Sequence, residues 1–219
     1  PSPLGAERGG DPRERGSRSS TRLDMVSRLA VVRRVEGLHS SHVTSVCHAE
    51  DGSTLVSTSA NQLRIFCPKR SRLLRASAAG DLDVSACLQL LGLDLIALGS
   101  LDNRMLLYSV GRGKVIDSIG AHDDAVSCLD GSWAAGTALS AANAAAAAAA
   151  AAAGSTADAT SSPVLISGSW DSTVRLWPLL PTGLAPTPLR TLGEHEARVL
   201  CVSLMPSDLR LAASGSAGG

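Results

Sequence analysis

Apolar residues along this chain come in short runs of four to six, each closed by glycine, serine, asparagine or aspartate. Leu55-Val56-Ser57-Thr58-Ser59, Leu95-Ile96-Ala97-Leu98-Gly99-Ser100, Val164-Leu165-Ile166-Ser167-Gly168-Ser169 and Leu211-Ala212-Ala213-Ser214-Gly215-Ser216 read as one strand seen four times. After a turn, three of them are followed by a second run: Leu63-Arg64-Ile65-Phe66, Met105-Leu106-Leu107-Tyr108 and Val174-Arg175-Leu176-Trp177. Period-two alternation predicts strands whose side chains are buried, exposed and buried in turn. The 3.6-residue spacing of an amphipathic helix is absent from these runs.

The runs belong to a longer unit. Gly37-Leu38-His39 leading to Val43, Gly120-Ala121-His122 leading to Val126, and Gly193-Glu194-His195 leading to Val199 are three copies of one opening, and Gly80 to Val84 is a fourth without the histidine. The four valines lie 41, 42 and 73 residues apart. The last spacing contains 27 surplus residues between Leu129 and Leu165 and 4 more between Trp177 and Val199, and without them it too is 42. A fixed period of this size is the signature of a repeat architecture.

These units resemble the WD repeat, whose period is ~40–45 residues. The fullest copy is Gly120-Ala121-His122 together with Ser169-Trp170-Asp171-Ser172-Thr173-Val174-Arg175-Leu176-Trp177. The finer resemblance, carried by His122-Asp123-Asp124-Ala125-Val126-Ser127, by Ser169 to Trp177 and by Val115-Ile116-Asp117-Ser118-Ile119, is to the C-terminal propellers of BEACH-family proteins. No BEACH domain is present, so that module's function does not carry over.

The resemblance implies four-stranded antiparallel blades in which a histidine, a strand serine, a turn aspartate and a tryptophan share hydrogen bonds. In the third blade these would be His122, Ser167 or Ser169, Asp171 and Trp177. The first blade has His39 and Phe66 but is one residue short at Ala60-Asn61-Gln62; the second has Asp102 and Tyr108 but no histidine; the fourth has His195 and stops before its third strand. The expected architecture is therefore all-β, a partial WD-repeat propeller of about three and a half blades, over residues 35–216. Blades are placed at about 37–78, 79–119, 120–190 and 191–219, with an insertion over 131–162 in the third.

Composition alters the picture at two places. Residues 1–34, rich in Arg, Gly and Ser, read as a flexible, mildly basic leader, and Ala141 to Ala153 offers no large side chain to pack. The missing initiator methionine and the glycine-rich end suggest a piece of a longer polypeptide. Lys plus Arg equals Asp plus Glu at 20 each, which argues against a dedicated nucleic-acid binder. No apolar stretch is built to insert in a membrane. Five cysteines without a CxxC pair make a poor disulfide framework, so a reducing, cytoplasmic setting is expected, peripheral to membranes only through partners.

Chemistry finds no foothold. His39, His122 and His195 share one repeat position in different blades, so they cannot gather round a metal, and no cofactor is expected. Gly111-Arg112-Gly113-Lys114 is a hairpin turn rather than a phosphate loop, and the Asp123-Asp124 and Asp81/Asp83 carboxylates have no nucleophile in register. A non-enzymatic protein-binding scaffold follows, linked through the BEACH resemblance to membrane traffic or receptor signalling. The alternative is a targeting or regulatory module of a larger enzyme. Trp170 is the candidate partner anchor, with Asp123, Asp124 and Arg104 on its rim. An incomplete ring also leaves strand edges open to association with other proteins.

Overall fold

The computed structural model of the chain describes residues 34–48, 54–79, 81, 83–90, 93–132, 164–180, 183–205 and 211–218. The expected leader, apart from Arg34, Gly80 and the alanine-rich insertion from 133 onward lie outside them. From Gly37 the chain forms one compact unit.

That unit is all-β and is built from successive antiparallel sheets. Blade one is β1 (Ser45–His48), β2 (Leu55–Ser59), β3 (Gln62–Cys67) and β4 (Arg72–Ala78), in the order β1-β2-β3-β4. Blade two repeats it with β5 (Val84–Leu90), β6 (Leu95–Ser100), β7 (Arg104–Ser109) and β8 (Lys114–Gly120). Blade three is β9 (Val126–Ser132), β10 (Val164–Ser169) and β11 (Val174–Leu180), and its fourth position is shared by β12 (Gly183–Leu184) and β13 (Arg190–Leu192), both paired with β11. Blade four is the hairpin β14 (Val199–Leu204) and β15 (Ala212–Ser216).

Two departures from the expected blades have local causes. Pro186 and Pro188 lie between β12 and β13; proline cannot donate to a ladder, so the outer strand breaks where the four surplus residues were counted. At the other end of the sheet, β9 continues through Ser132 and pairs it with Val164, so a start of the insertion at 131 is two residues early.

The expected buried-exposed-buried alternation also needs correction, because the central strands are covered on both faces. Along β7 the five residues from Met105 to Ser109 are all buried. Alternation decides instead which neighbour a side chain meets. Ile96, Leu98, Leu106 and Tyr108 pack toward Val56, Leu63 and Ile65 of blade one, while Ala97, Met105 and Leu107 pack with Val126, Leu165 and Trp177 of blade three. On blade three, Ile166 and Val174 turn the other way and meet Val199 and Leu204 of blade four. The apolar core thus lies between adjacent sheets, where each fully buried Leu, Ile or Val stabilises by about 1.5–3 kcal/mol.

Leading strands β1, β5, β9 and β14 pack in sequence against one another. A hydroxyl follows the marker valine immediately before β1 and at the second residue of β5 and of β9, and it donates to the marker carbonyl of the next blade. Thr44 Oγ1 donates to Val84 O at 2.6 Å, Ser85 Oγ to Val126 O, and Ser127 Oγ to Val199 O at 2.5 Å. The close approach requires glycine nearby: a Cβ on Gly99 would meet Val126 Cγ1 at 2.8 Å, and one on Gly168 would meet Val199 Cγ1 at 2.6 Å.

The turns of blades one and two also grip the chain entering the next blade. Val84 N donates to Ala60 O at 2.8 Å, and Ala121 N and His122 N both donate to Asn103 O, at 3.0 and 3.1 Å. These turns and connections share one end of the sheets, which carries the site.

Candidate functional site

His122 enters blade three just before β9 and is brought over the β10–β11 hairpin by the Asn103 carbonyl. The Trp177 indole can only donate, so its Nε1–H gives its proton to Ser167 Oγ at 2.9 Å. Ser167 then donates its own hydrogen to His122 Nε2 at 2.7 Å. That leaves the ring proton on Nδ1, which donates to Asp171 Oδ2 at 2.9 Å. One unbroken donor chain runs from a buried indole to a turn carboxylate, and every member has its partner.

Asp171 is the hub of the turn. It accepts from Asp123 N at 3.1 Å and, through its other oxygen, from Thr173 N at 2.8 Å and Thr173 Oγ1 at 2.7 Å. Burial works against its charge, but the hydrogen bonds from Thr173, from the backbone and from His122 outweigh it and hold the carboxyl down to about 2. His122 is shifted downward too, chiefly by burial, against the opposing pull of Asp171. Near pH 7 the pair is therefore a neutral imidazole donating to a carboxylate.

Of the two serines, it is Ser167 that belongs to the network. Ser169, equally buried, is engaged elsewhere, since its hydroxyl donates to Asp124 O at 3.0 Å and accepts from Asp171 N at 3.1 Å, tying the hairpin to the incoming chain. Two contributors were not among the expected residues. Thr173 completes the shell of Asp171, and Arg175 donates to Ala121 O at 2.9 Å and to Asp123 Oδ2 at 3.0 Å. The turn itself holds Ser172 at φ 67°, matched by Asn103 at φ 66° in blade two, a left-handed conformation that asparagine adopts more readily than serine.

The other blades hold halves of this arrangement. In blade one His39 Nε2 meets Ser57 Oγ at 2.7 Å, but the shortened turn supplies no carboxylate and His39 Nδ1 is buried without a partner. In blade two Asp102 is present, and its buried Oδ1 has no partner. Leu98 stands in the register of Ser167, so Tyr108 turns its hydroxyl outward to Ser77 Oγ of blade one at 2.7 Å. In blade four His195 Nε2 meets Ser214 Oγ at 2.7 Å on an exposed hairpin.

Above the network lies the surface expected to meet a partner. Trp170, partly buried, donates its backbone N–H to Ala125 O at 3.0 Å, and its ring lies 4.4 Å from the guanidinium carbon of Arg198 on the approach to β14. Asp123 has a side chain 86% exposed although Arg175 holds one of its oxygens. Asp124 is exposed and folds back on its own chain, accepting from Ala125 N at 2.7 Å. Arg104 is exposed as well, but it sits in blade two and bonds Ser118 Oγ at 2.9 Å across its sheet. Trp170, Asp123 and Asp124 are thus brought to one turn, and Arg104 is held to β8 instead. Among the described residues, no group of three or more His, Cys, Asp or Glu side chains is positioned to hold a metal ion. No helix among them is long and apolar enough to cross a membrane.

Comparison with known proteins agrees with the geometry. The sequence profile of the WD domain, G-beta repeat, matches residues 33–67, 153–178 and 186–219. A stretch of 122 residues, 55% of this chain, is 26% identical to Periodic tryptophan protein 2 of Saccharomyces cerevisiae, and it spans 10% of that protein's length.

Proposed function

From a chain that carries WD40 repeats, we propose a protein-interaction scaffold whose partner-facing surface is the end of the sheets bearing Trp170, Asp123 and Asp124. Support comes from one observation above all: the donor chain from Trp177 to Asp171 fixes the very turn that displays these side chains. A surface held in one conformation loses little entropy on binding, and an aromatic flanked by carboxylates is an efficient anchor for a basic or mixed-charge segment. Arg104, on the neighbouring blade, lies at the margin of the same end. The finer reading is an adaptor of the BEACH-WD type, acting in membrane traffic or receptor signalling. Exposed Leu200 and Leu211 on blade four offer a second, apolar surface for association with further β-structure.

Proximity labelling in cells, followed by quantitative mass spectrometry, tests this. Asp123→Lys with Asp124→Lys, and separately Trp170→Ala, should deplete one shared set of neighbours that Arg72→Glu, at the opposite end of blade one, retains. An unchanged neighbour set in both variants would overturn the assignment of the surface. A depleted set containing no membrane-traffic or receptor proteins would remove the finer reading alone.

A further inference from the structure

Cys47 on β1 and Cys87 on β5 occupy the leading strands of two adjacent blades, and their sulfurs are 3.6 Å apart. They are 40 residues apart in the chain, and each sits beside the hydroxyl bond that joins these blades, from Thr44 to Val84. Ser45 Oγ accepts from Cys87 N at 3.1 Å and lies 3.4 Å from Cys87 Sγ. Cys87 is nearly enclosed at 7% exposure, whereas Cys47 is only half-buried, so a small molecule reaches the pair from the Cys47 side.

We propose that Cys47 and Cys87 form a redox modification site, a dithiol that hydrogen peroxide converts into a disulfide bridging blade one to blade two. The thiolate of Cys87 attacks one peroxide oxygen, the O–O bond breaks, and Cys87 sulfenic acid and hydroxide result, the hydroxide becoming water with the proton that Cys87 released to solvent on ionising. The sulfur of Cys47 then attacks the Cys87 sulfur, the S–O bond breaks, and hydroxide leaves with the Cys47 proton as a second water. Two electrons pass from the two sulfurs to the peroxide. The sulfurs must close from 3.6 Å to the ~2.0 Å of a covalent bond.

The hydrogen bonds around the two sulfurs agree with Cys87 as the first to react. Hydrogen bonding from Cys47 favours the Cys87 thiolate, with further help from Ser45 and Thr58, against the cost of burial. The same bond, with burial, pushes the Cys47 thiol up. Cys128, by contrast, is pushed up chiefly by burial, and Cys201 is exposed on blade four.

The full chain, treated with hydrogen peroxide and digested without reductant, should yield one cross-linked peptide joining Cys47 to Cys87, lighter by two hydrogens and reversed by dithiothreitol. Closing a loop of this length should raise Tm by on the order of 5–10 °C. Cys47→Ser should leave Cys87 as a sulfenic acid that dimedone traps. A disulfide mapped to any other pair would overturn the proposal, as would over-oxidation of Cys87 with Cys47 still free, or a reduced pair in a sample whose Cys201 is oxidised. The mapping is made on the unmodified protein, so a variant that fails to fold does not weaken it.

Discussion

His122 and Asp171 meet at 2.9 Å although 49 residues separate them in the chain. Much of that separation is the insertion between β9 and β10, and the contact closes across it because both residues are fixed by strands on either side. The pair joins the approach to one strand to the turn between two others, so its loss loosens three segments together.

Asp171→Ala removes the acceptor for His122 and for two backbone donors, and should cost about 1–3 kcal/mol in urea unfolding. Asp102→Ala removes a carboxylate whose buried Oδ1 has no partner, and should cost less than about 0.5 kcal/mol. Equal losses in the two variants would show that the turn aspartate acts by its own conformation and not through the histidine.

Acid should destabilise the fold in two stages. His122 is shifted downward, so the unfolded chain binds its proton first as pH falls below about 6.5, and stability drops until the folded ring titrates too. His39, lowered by burial and by Arg64, adds the same sign. Asp171, held down to about 2, contributes stability that is full above its ordinary range near 4 and is lost as pH falls toward 2. Melting temperatures across pH 8 to 2 check this; in Asp171→Asn the lower stage should disappear.

Gly99→Ala places a Cβ 2.8 Å from Val126 Cγ1, and the two blades must separate to admit it. The expected cost is about 1–3 kcal/mol, read from chemical denaturation. Gly193→Ala, where a Cβ meets nothing within 4 Å, is the control and should leave stability nearly unchanged.

Trp170→Ala removes the ring beneath Arg198 and should lower stability by only about 0.5–1 kcal/mol. A loss several times larger would assign Trp170 to blade packing and move the partner anchor elsewhere.

Much of this was readable from residues alone. The marker valines fixed the period, and short apolar runs bounded by turn residues, such as Met105 to Tyr108, fixed the strands, although not which of their faces are covered. The network's members were legible by likeness, but the choice between Ser167 and Ser169 was not. Both are buried strand serines on one face of the sheet, and only the path of the incoming chain decides which one meets the imidazole. Arg175 was hidden for a similar reason: an alternating polar residue on β11 looks solvent-facing until Ala121 and Asp123 arrive from the previous blade. The inter-blade hydroxyls of Thr44, Ser85 and Ser127 were invisible because their acceptors lie 40, 41 and 72 residues away, beyond any local pattern.

Those three hydroxyls have a consequence for how such a chain can change. Blades two and three each carry both halves of the fastening one residue apart, acceptor at Val84 or Val126 and donor at Ser85 or Ser127, so each offers the same socket behind and the same plug ahead. Copying or excising one of these two units leaves no fastening unmatched, whereas shifting its leading strand by one residue unfastens both of its junctions. Leu200, at the plug position of the last strand, carries no hydroxyl, and there the series of fastenings stops.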